Sequence, residues 1–180
     1  MKIFISGGCK NGKSTYAQKL AKWLSGQVNL LYYIATMTAV DKEDLERIAR
    51  HQKEREGWDF TTIEQPRNIQ GILSKCDCNG IFLVDSITAL LANEMFSVNG
   101  DYDETACQRT ASGLSQVLDK LDNIVIVSDY IYSDAFLYDP ITEAYRKSLA
   151  TLDKLVAEKC DLVLEVAFGQ TIIHKARWPI

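Results

Sequence analysis

What is missing narrows this sequence first. No apolar run in its 180 residues is long enough to cross a bilayer. There is no surplus of positive charge: 20 Lys and Arg stand against 24 Asp and Glu, for a net charge of −4. That balance argues against a general nucleic-acid surface or an anionic-membrane surface. There is no even, regular set of cysteines. Cys9, Cys76, Cys78, Cys107 and Cys160 are odd in number and scattered. The first residues already read as a strand rather than a leader, so reduced thiols in a cytoplasm are expected. Cys76-Asp77-Cys78 has the wrong spacing for a zinc clip and no second pair, so it reads as loop. Repeats, low-complexity tracts and linkers are also lacking, and residues 1–180 are expected to form a single domain with a full core.

What is present begins at once. Gly7-Gly8-Cys9-Lys10-Asn11-Gly12-Lys13-Ser14 reads G-x-x-x-x-G-K-S, the phosphate-binding loop. The apolar run Lys2-Ile3-Phe4-Ile5-Ser6 precedes it, and apolar residues at helical spacing follow from Thr15 to Leu24. Strand, glycine loop and helix form the context that makes this pattern a site. Glycines let backbone N–H groups wrap a phosphate, and the helix adds its positive end. Lys13 is expected on the β/γ-phosphates and the Ser14 hydroxyl on Mg²⁺. Lys10 adds charge to the loop, and Cys9 is read as a small space-filling residue.

Further along, Leu30–Ala35, Phe60–Ile63, Ile81–Asp85 and Ile124–Val127 read as strands, most of them apolar enough for a buried parallel sheet. Helices are expected over 15–24, 41–56, 69–73, 86–96, 105–121 and 141–159, with Gly57 stopping the second. Val98-Asn99-Gly100-Asp101 and residues 130–140 read as loops, and Leu162–Val166 with Thr171–His174 as a terminal antiparallel hairpin around Gly169-Gln170. Alternating strands and helices predict an α/β fold with a mostly parallel sheet and right-handed crossovers. Trp23 is expected in the core and His174 in a structural role.

Several residues stand where chemistry could occur. Asp85 ends an apolar strand, the place of a carboxylate that holds Mg²⁺ beside the phosphates. Thr36 and Met37 lie just past the second strand, and Asp129 and Tyr130 just past the fourth, at the ligand-binding end of such a sheet. Arg47, His51 and Arg55 are spaced to share one helix face. A neutral imidazole between guanidinium groups is a nucleophile next to a phosphate clamp. The same segment is also an ordinary solvated helix, with Glu43–Arg47 and Glu46–Arg50 pairs. A small-molecule kinase without a covalent step, or a GTP- or ATP-binding switch protein, would share the loop and Asp85.

Taken together, these segments resemble the bifunctional adenosylcobinamide kinase/adenosylcobinamide-phosphate guanylyltransferase family of cobalamin synthesis. The likeness is carried by the opening loop and by Tyr33-Ile34-Ala35-Thr36. It continues through Arg47-Ile48-Ala49-Arg50-His51 with Arg55 and Trp58, then Thr62-Ile63-Glu64-Gln65-Pro66, then Leu83-Val84-Asp85-Ser86-Ile87-Thr88 with Asn93. The resemblance implies phosphorylation of adenosylcobinamide by a nucleoside triphosphate, GTP with ATP also possible. It further implies transfer of GMP from GTP through a histidine, here His51. It places the nucleotide against Gly8, Cys9, Lys10, Asn11, Gly12, Lys13, Ser14 and Thr15, then Thr36, Met37, Gln52, Lys53, Glu54, Arg55, Glu64 and Asp85. A RecA-like sheet, a corrinoid substrate and a homotrimer are likewise implied. The second half departs from the family pattern. Asp129-Tyr130-Ile131-Tyr132 stands in place of Asn-Glu-Val-Gly, and Arg146-Lys147, Ala150 and Asp153 in place of Arg-Asp, Gly and Asn.

Overall fold

A computed structural model describes residues 1–26, 30–39, 42–97 and 102–177, without the side chains of Glu43, Asp44, Arg47, His51 and Glu54. The expected loop over 98–101 and the expected helix start at Asp41 lie outside these residues. The chain alternates as predicted. β1 (Lys2–Gly7), α1 (Lys13–Ser25), β2 (Leu31–Ala35), α2 (Lys42–Glu54) and β3 (Thr61–Glu64) come first. A 3₁₀ turn over Ile69–Ser74 leads to β4 (Ile81–Asp85) and α3 (Ile87–Met95). Then follow α4 (Ala106–Lys120), β5 (Ile124–Asp129), α5 (Pro140–Lys159), β6 (Leu162–Ala167) and β7 (Gln170–Ala176).

The seven strands form one sheet in the order β3-β2-β4-β5-β1-β6-β7. All neighbours are parallel except β6 and β7, the terminal hairpin. Its turn is made by Phe168 and Gly169, at φ 51° and 72°, one residue earlier than the sequence suggested. Strand alternation sorts the apolar residues onto two faces. Ile3, Ile5, Tyr33, Leu83, Val125 and Val127 meet α1 through Ala17 and Ala21. Phe4, Ile34, Phe82, Val84 and Ile126 pack with residues of α3, α4 and α5. The period-2 rule therefore puts Asp85 and Asp129 on the α1 face, and Ser128 and Tyr130 on the other.

Trp23 is a correction: it is 66% exposed rather than core. The buried stripe of α1 is Lys13, Ala17, Gln18, Ala21 and Ser25, so the helix lies close on the sheet through small side chains and Trp23 falls on its outer side. Helix ends follow their caps. Gly12, at φ 90°, starts α1 at Lys13 instead of Thr15. Asp139 accepts from the N–H groups of Ile141 and Thr142 and sets the start of α5 at Pro140. Gly57 adopts φ 78° as the chain leaves α2. Among the described residues no helix is long and apolar enough to cross a membrane.

Candidate functional site

β1 delivers the glycine loop to the carboxyl edge of the sheet, between the ends of β5 and β6. Gly7 lies opposite Asp129 on one side and Val166 on the other. The Asn11 amide donates to the Val166 carbonyl. A Cβ on Gly7 would strike both Asn11 and that carbonyl, so only glycine fits. Lys13 is buried at 5% exposure. Its ammonium donates to the Gly8 carbonyl at 2.6 Å, Asn11 Oδ1 at 3.2 Å and Asp129 Oδ1 at 2.6 Å. Above it lies a cavity of about 330 Å³, lined by Lys10, Asn11, Gly12, Lys13, Ser14, Thr15, Arg50, Asp85, Val127 and Asp129. Six of these ten belong to the loop and first helical turn, whose free N–H groups suit an anion.

A smaller hollow of about 60 Å³ lies between α2 and the ends of β2 and β3. Tyr33, Ala35, Met37, Ile48, Gln52, Arg55, Thr62, Glu64 and Asp85 line it. Asp85 thus borders both spaces, and Tyr33 donates to its Oδ2 at 2.9 Å. The Arg55 guanidinium lies 3.5 Å above the Tyr33 ring, and its buried Nη1 has no hydrogen-bond partner among the described residues. Arg50 reaches the larger cavity while Ile48 and Gln52 face the smaller one, so α2 runs between the two. Helical periodicity puts position 51 on the arc between those faces.

The structure brings most of the sequence candidates to these two spaces, with exceptions. Gly8 and Cys9 are in the loop but do not border the cavity, and Cys9 is exposed. Thr36 is fully buried; its Oγ1 donates to the Ser86 carbonyl and accepts from the Ser86 N–H, tying β2 to the start of α3. Lys53 is exposed and borders neither space. Sequence reasoning missed Tyr33 as a site residue. A signal for it exists, since Tyr33 and Asp85 occupy same-face positions on adjacent strands.

Behind β5 lies a second polar group. Asp153 is 4% exposed and accepts from the Tyr132 hydroxyl at 2.8 Å. Burial pushes its carboxyl up to about 6, against the lowering influence of Ser128 and Tyr132. Ser128 Oγ lies beside it, yet neither that oxygen nor Asp153 Oδ1 makes a well-formed hydrogen bond. Tyr145 donates to the Thr88 carbonyl, and Thr88 Oγ1 accepts from the Asp129 N–H at 2.8 Å. Burial raises the phenols of Tyr132 and Tyr145 above their usual range. On the β6 side, Tyr130 and His174 both bond Glu165, at 3.0 and 2.8 Å, and hold its carboxyl below its ordinary value, His174 foremost.

The donor set fits Mg²⁺. Ser14 and Asp85 supply hard oxygens to one cavity, and Mg²⁺ takes one or two protein oxygens with phosphates and water completing its shell. Among the described residues no cluster of three or more His, Cys, Asp or Glu could hold a metal by itself.

Comparison with known proteins agrees with this geometry. Among solved structures, an ATPase domain superposes with a TM-score of 0.54 at 14% identity, covering 97% of this chain and 76% of its own. A KaiC-like protein of Pyrococcus horikoshii gives 0.52 at 12% identity, covering 98% and 79%. These likenesses establish the P-loop, RecA-like fold. The bifunctional adenosylcobalamin biosynthesis protein CobP of Pseudomonas aeruginosa is 30% identical over 171 residues, 94% of each chain. CobU of Escherichia coli is 30% identical over 105 residues, and there the match spans about half of either protein, 57% of this chain and 55% of the relative. The family description "Cobinamide kinase / cobinamide phosphate guanyltransferase" matches residues 3–173. The chain therefore belongs to the cobinamide kinase/cobinamide phosphate guanyltransferase family of cobalamin-biosynthesis enzymes.

Proposed function

We infer that this protein phosphorylates adenosylcobinamide and then transfers GMP from GTP to the resulting phosphate through a guanylyl-histidine at His51. The observation that carries the reading is the path of α2. Its Arg50 borders the phosphate cavity and its Ile48 and Gln52 border the second hollow, which supports a role for position 51 in the same turns. A nucleophile there lies next to a triphosphate seated on Gly8–Thr15.

In the first reaction the acceptor hydroxyl attacks the γ-phosphorus and a nucleoside diphosphate leaves. Backbone N–H groups of the loop and Lys13 take up charge on the phosphates. In the second, a His51 ring nitrogen attacks the α-phosphorus of GTP and pyrophosphate leaves with the electron pair. A phosphate oxygen of adenosylcobinamide phosphate then attacks the same phosphorus and releases the ring, forming adenosylcobinamide-GDP. The covalent intermediate divides one difficult displacement into two easier ones. Ser14 and Asp85 would hold Mg²⁺, which would neutralise phosphate charge. Met37, Gln52, Arg55 and Glu64 surround the hollow read as the base side of the site, with Thr36, Lys53 and Glu54 in the flanking segments. A Glu64 carboxylate lining that hollow would accept from guanine N1–H and N2–H, a donor pair that adenine lacks, which favours GTP as guanylyl donor.

The test is incubation with GTP labelled at the α-phosphate. Acid-labile, base-stable label on the protein, lost in His51→Ala and chased off by cobinamide phosphate, is expected. Wild-type protein that takes up no label refutes the transfer step. A second reading, a kinase or GTP/ATP-binding protein with a different acceptor and no guanylyl step, draws support from the residues after β5. Tyr130 and Tyr132 are committed there to Glu165 and Asp153. It predicts phosphoryl transfer that survives His51→Ala, with no label from α-labelled GTP on the wild-type protein.

A further inference from the structure

Strand register brings Tyr33 to the partition between the two spaces. Its Cα partner on β4 is Leu83, and Asp85 follows two residues later on the same face. The residue is 5% exposed and lines the smaller hollow. Phe60 meets its ring edge-on, with centroids 6.1 Å apart and planes at 83°. The Arg55 guanidinium lies 3.5 Å from the ring centroid. At the far end the hydroxyl donates to Asp85 Oδ2 at 2.9 Å. One buried side chain thus holds a cation that lines the smaller hollow and a carboxylate that lines both spaces.

We propose that Tyr33 is a positioning residue with two separable duties: its hydroxyl aims the Asp85 carboxylate for Mg²⁺, and its ring holds Arg55 against the nucleotide. The proposal rests on the nucleotide reading above, in which Asp85 holds the metal. With Oδ2 engaged by the phenol, the carboxylate cannot swing at the strand end and offers its other oxygen in one direction. The strict geometry of Mg²⁺ favours a ligand that is already aimed. Outer hydrogen bonds of this kind to a ligating carboxylate are worth about 10–100-fold in metal affinity. The ring acts otherwise. Its face attracts the guanidinium and keeps it at the hollow. Arg55 Nη1 is buried and has no hydrogen-bond partner among the described residues, so it remains available to a ligand oxygen. Phenylalanine at this position keeps the ring and removes the hydroxyl, whereas an aliphatic side chain removes both.

The test compares Tyr33→Phe with Tyr33→Leu, or with Tyr33→Met where the leucine variant fails to fold, and uses Asp85→Asn as reference. The probe is α,β-methylene-GTP, which cannot transfer GMP. Its affinity is measured in EDTA, and Mn²⁺ binding to the complex is followed by electron paramagnetic resonance. Tyr33→Phe should bind the analogue in EDTA within about twofold of wild type, yet raise the Mn²⁺ dissociation constant at least about tenfold. The aliphatic variant should also lose at least about fivefold in metal-free affinity. Tyr33→Phe placed on Asp85→Asn should add little, because the two act as one unit on the metal. An Mn²⁺ constant for Tyr33→Phe within about threefold of wild type overturns the duty of the hydroxyl. Metal-free affinity that falls equally in the phenylalanine and aliphatic variants, or in neither, overturns the duty of the ring. Wild-type protein that binds no analogue, or Asp85→Asn with an unchanged Mn²⁺ constant, refutes the nucleotide reading itself.

Discussion

The buried carboxylate behind β5 gives the sharpest stability prediction. Asp153 ionises at about 6 in the folded protein against 3.8 for the free side chain, and desolvation is the largest cause. A shift of about two units corresponds to about 3 kcal/mol, the ceiling on what the ionised form costs the fold at neutral pH. The sign follows from the proton count. The folded state holds the proton more tightly than the unfolded chain, so the stabilisation from the neutral acid is complete below pH 3.8 and is lost as pH rises through about 6. Asp153→Asn removes the titration. Its amide oxygen can accept from Tyr132, and its NH₂ can donate to Ser128 Oγ, which makes no well-formed hydrogen bond in the wild type. At pH 7.5 the variant should be more stable by about 2–3 kcal/mol, or roughly 5–10 °C in Tm for a chain of this size. The gap should close towards pH 4. Thermal and urea melts of both proteins from pH 4 to 8 measure it. A variant less stable than wild type at pH 7.5, or a gap that does not change with pH, would refute the reasoning.

Two further predictions come from the loop and the thiols. Gly7→Ala puts a methyl group against Asn11 and the Val166 carbonyl, and overpacking of this kind costs about 1–3 kcal/mol. Equilibrium binding should show nucleotide affinity down at least about tenfold; unchanged affinity and Tm would mean the loop relaxes freely. Cys9 is exposed on the phosphate loop, whereas Cys160 is fully buried and its thiol is pushed up to about 12 by burial. A thiol reagent at pH 8 should modify Cys9 first, more slowly with nucleotide bound, and reach Cys160 only on unfolding. Peptide mapping that finds Cys160 among the early products would contradict the packing.

The sheet is legible in the sequence because its strands are short apolar runs bounded by glycine, proline and charge. Ile81–Asp85 and Ile124–Val127 need no context to read as buried strands, the second of which runs on to Asp129. The phosphate loop is legible because its backbone demands fix its glycines. Less legible is anything set by neighbours distant in sequence. Trp23 looks like core because it is large and apolar, but which face of α1 is buried depends on how closely the sheet approaches, and that is set by Ala17 and Ala21. Thr36 lies where ligands are expected, yet its hydroxyl is occupied by Ser86, fifty residues away. The grip of Asp129 on Lys13 spans 116 positions, and only the insertion of β5 beside β1 brings them together. The family likeness, strong in the first half, gives no guide to the pairings made by Tyr130, Tyr132 and Asp153, where this chain has its own residues.

One carboxylate, Asp85, forms a party wall between the large cavity and the small one. Whatever fills the room on one side of such a wall is yoked mechanically to whatever fills the other. Any change that reshapes the partition for one tenant alters the room of the other, so this position has less latitude to drift than a residue serving a single compartment.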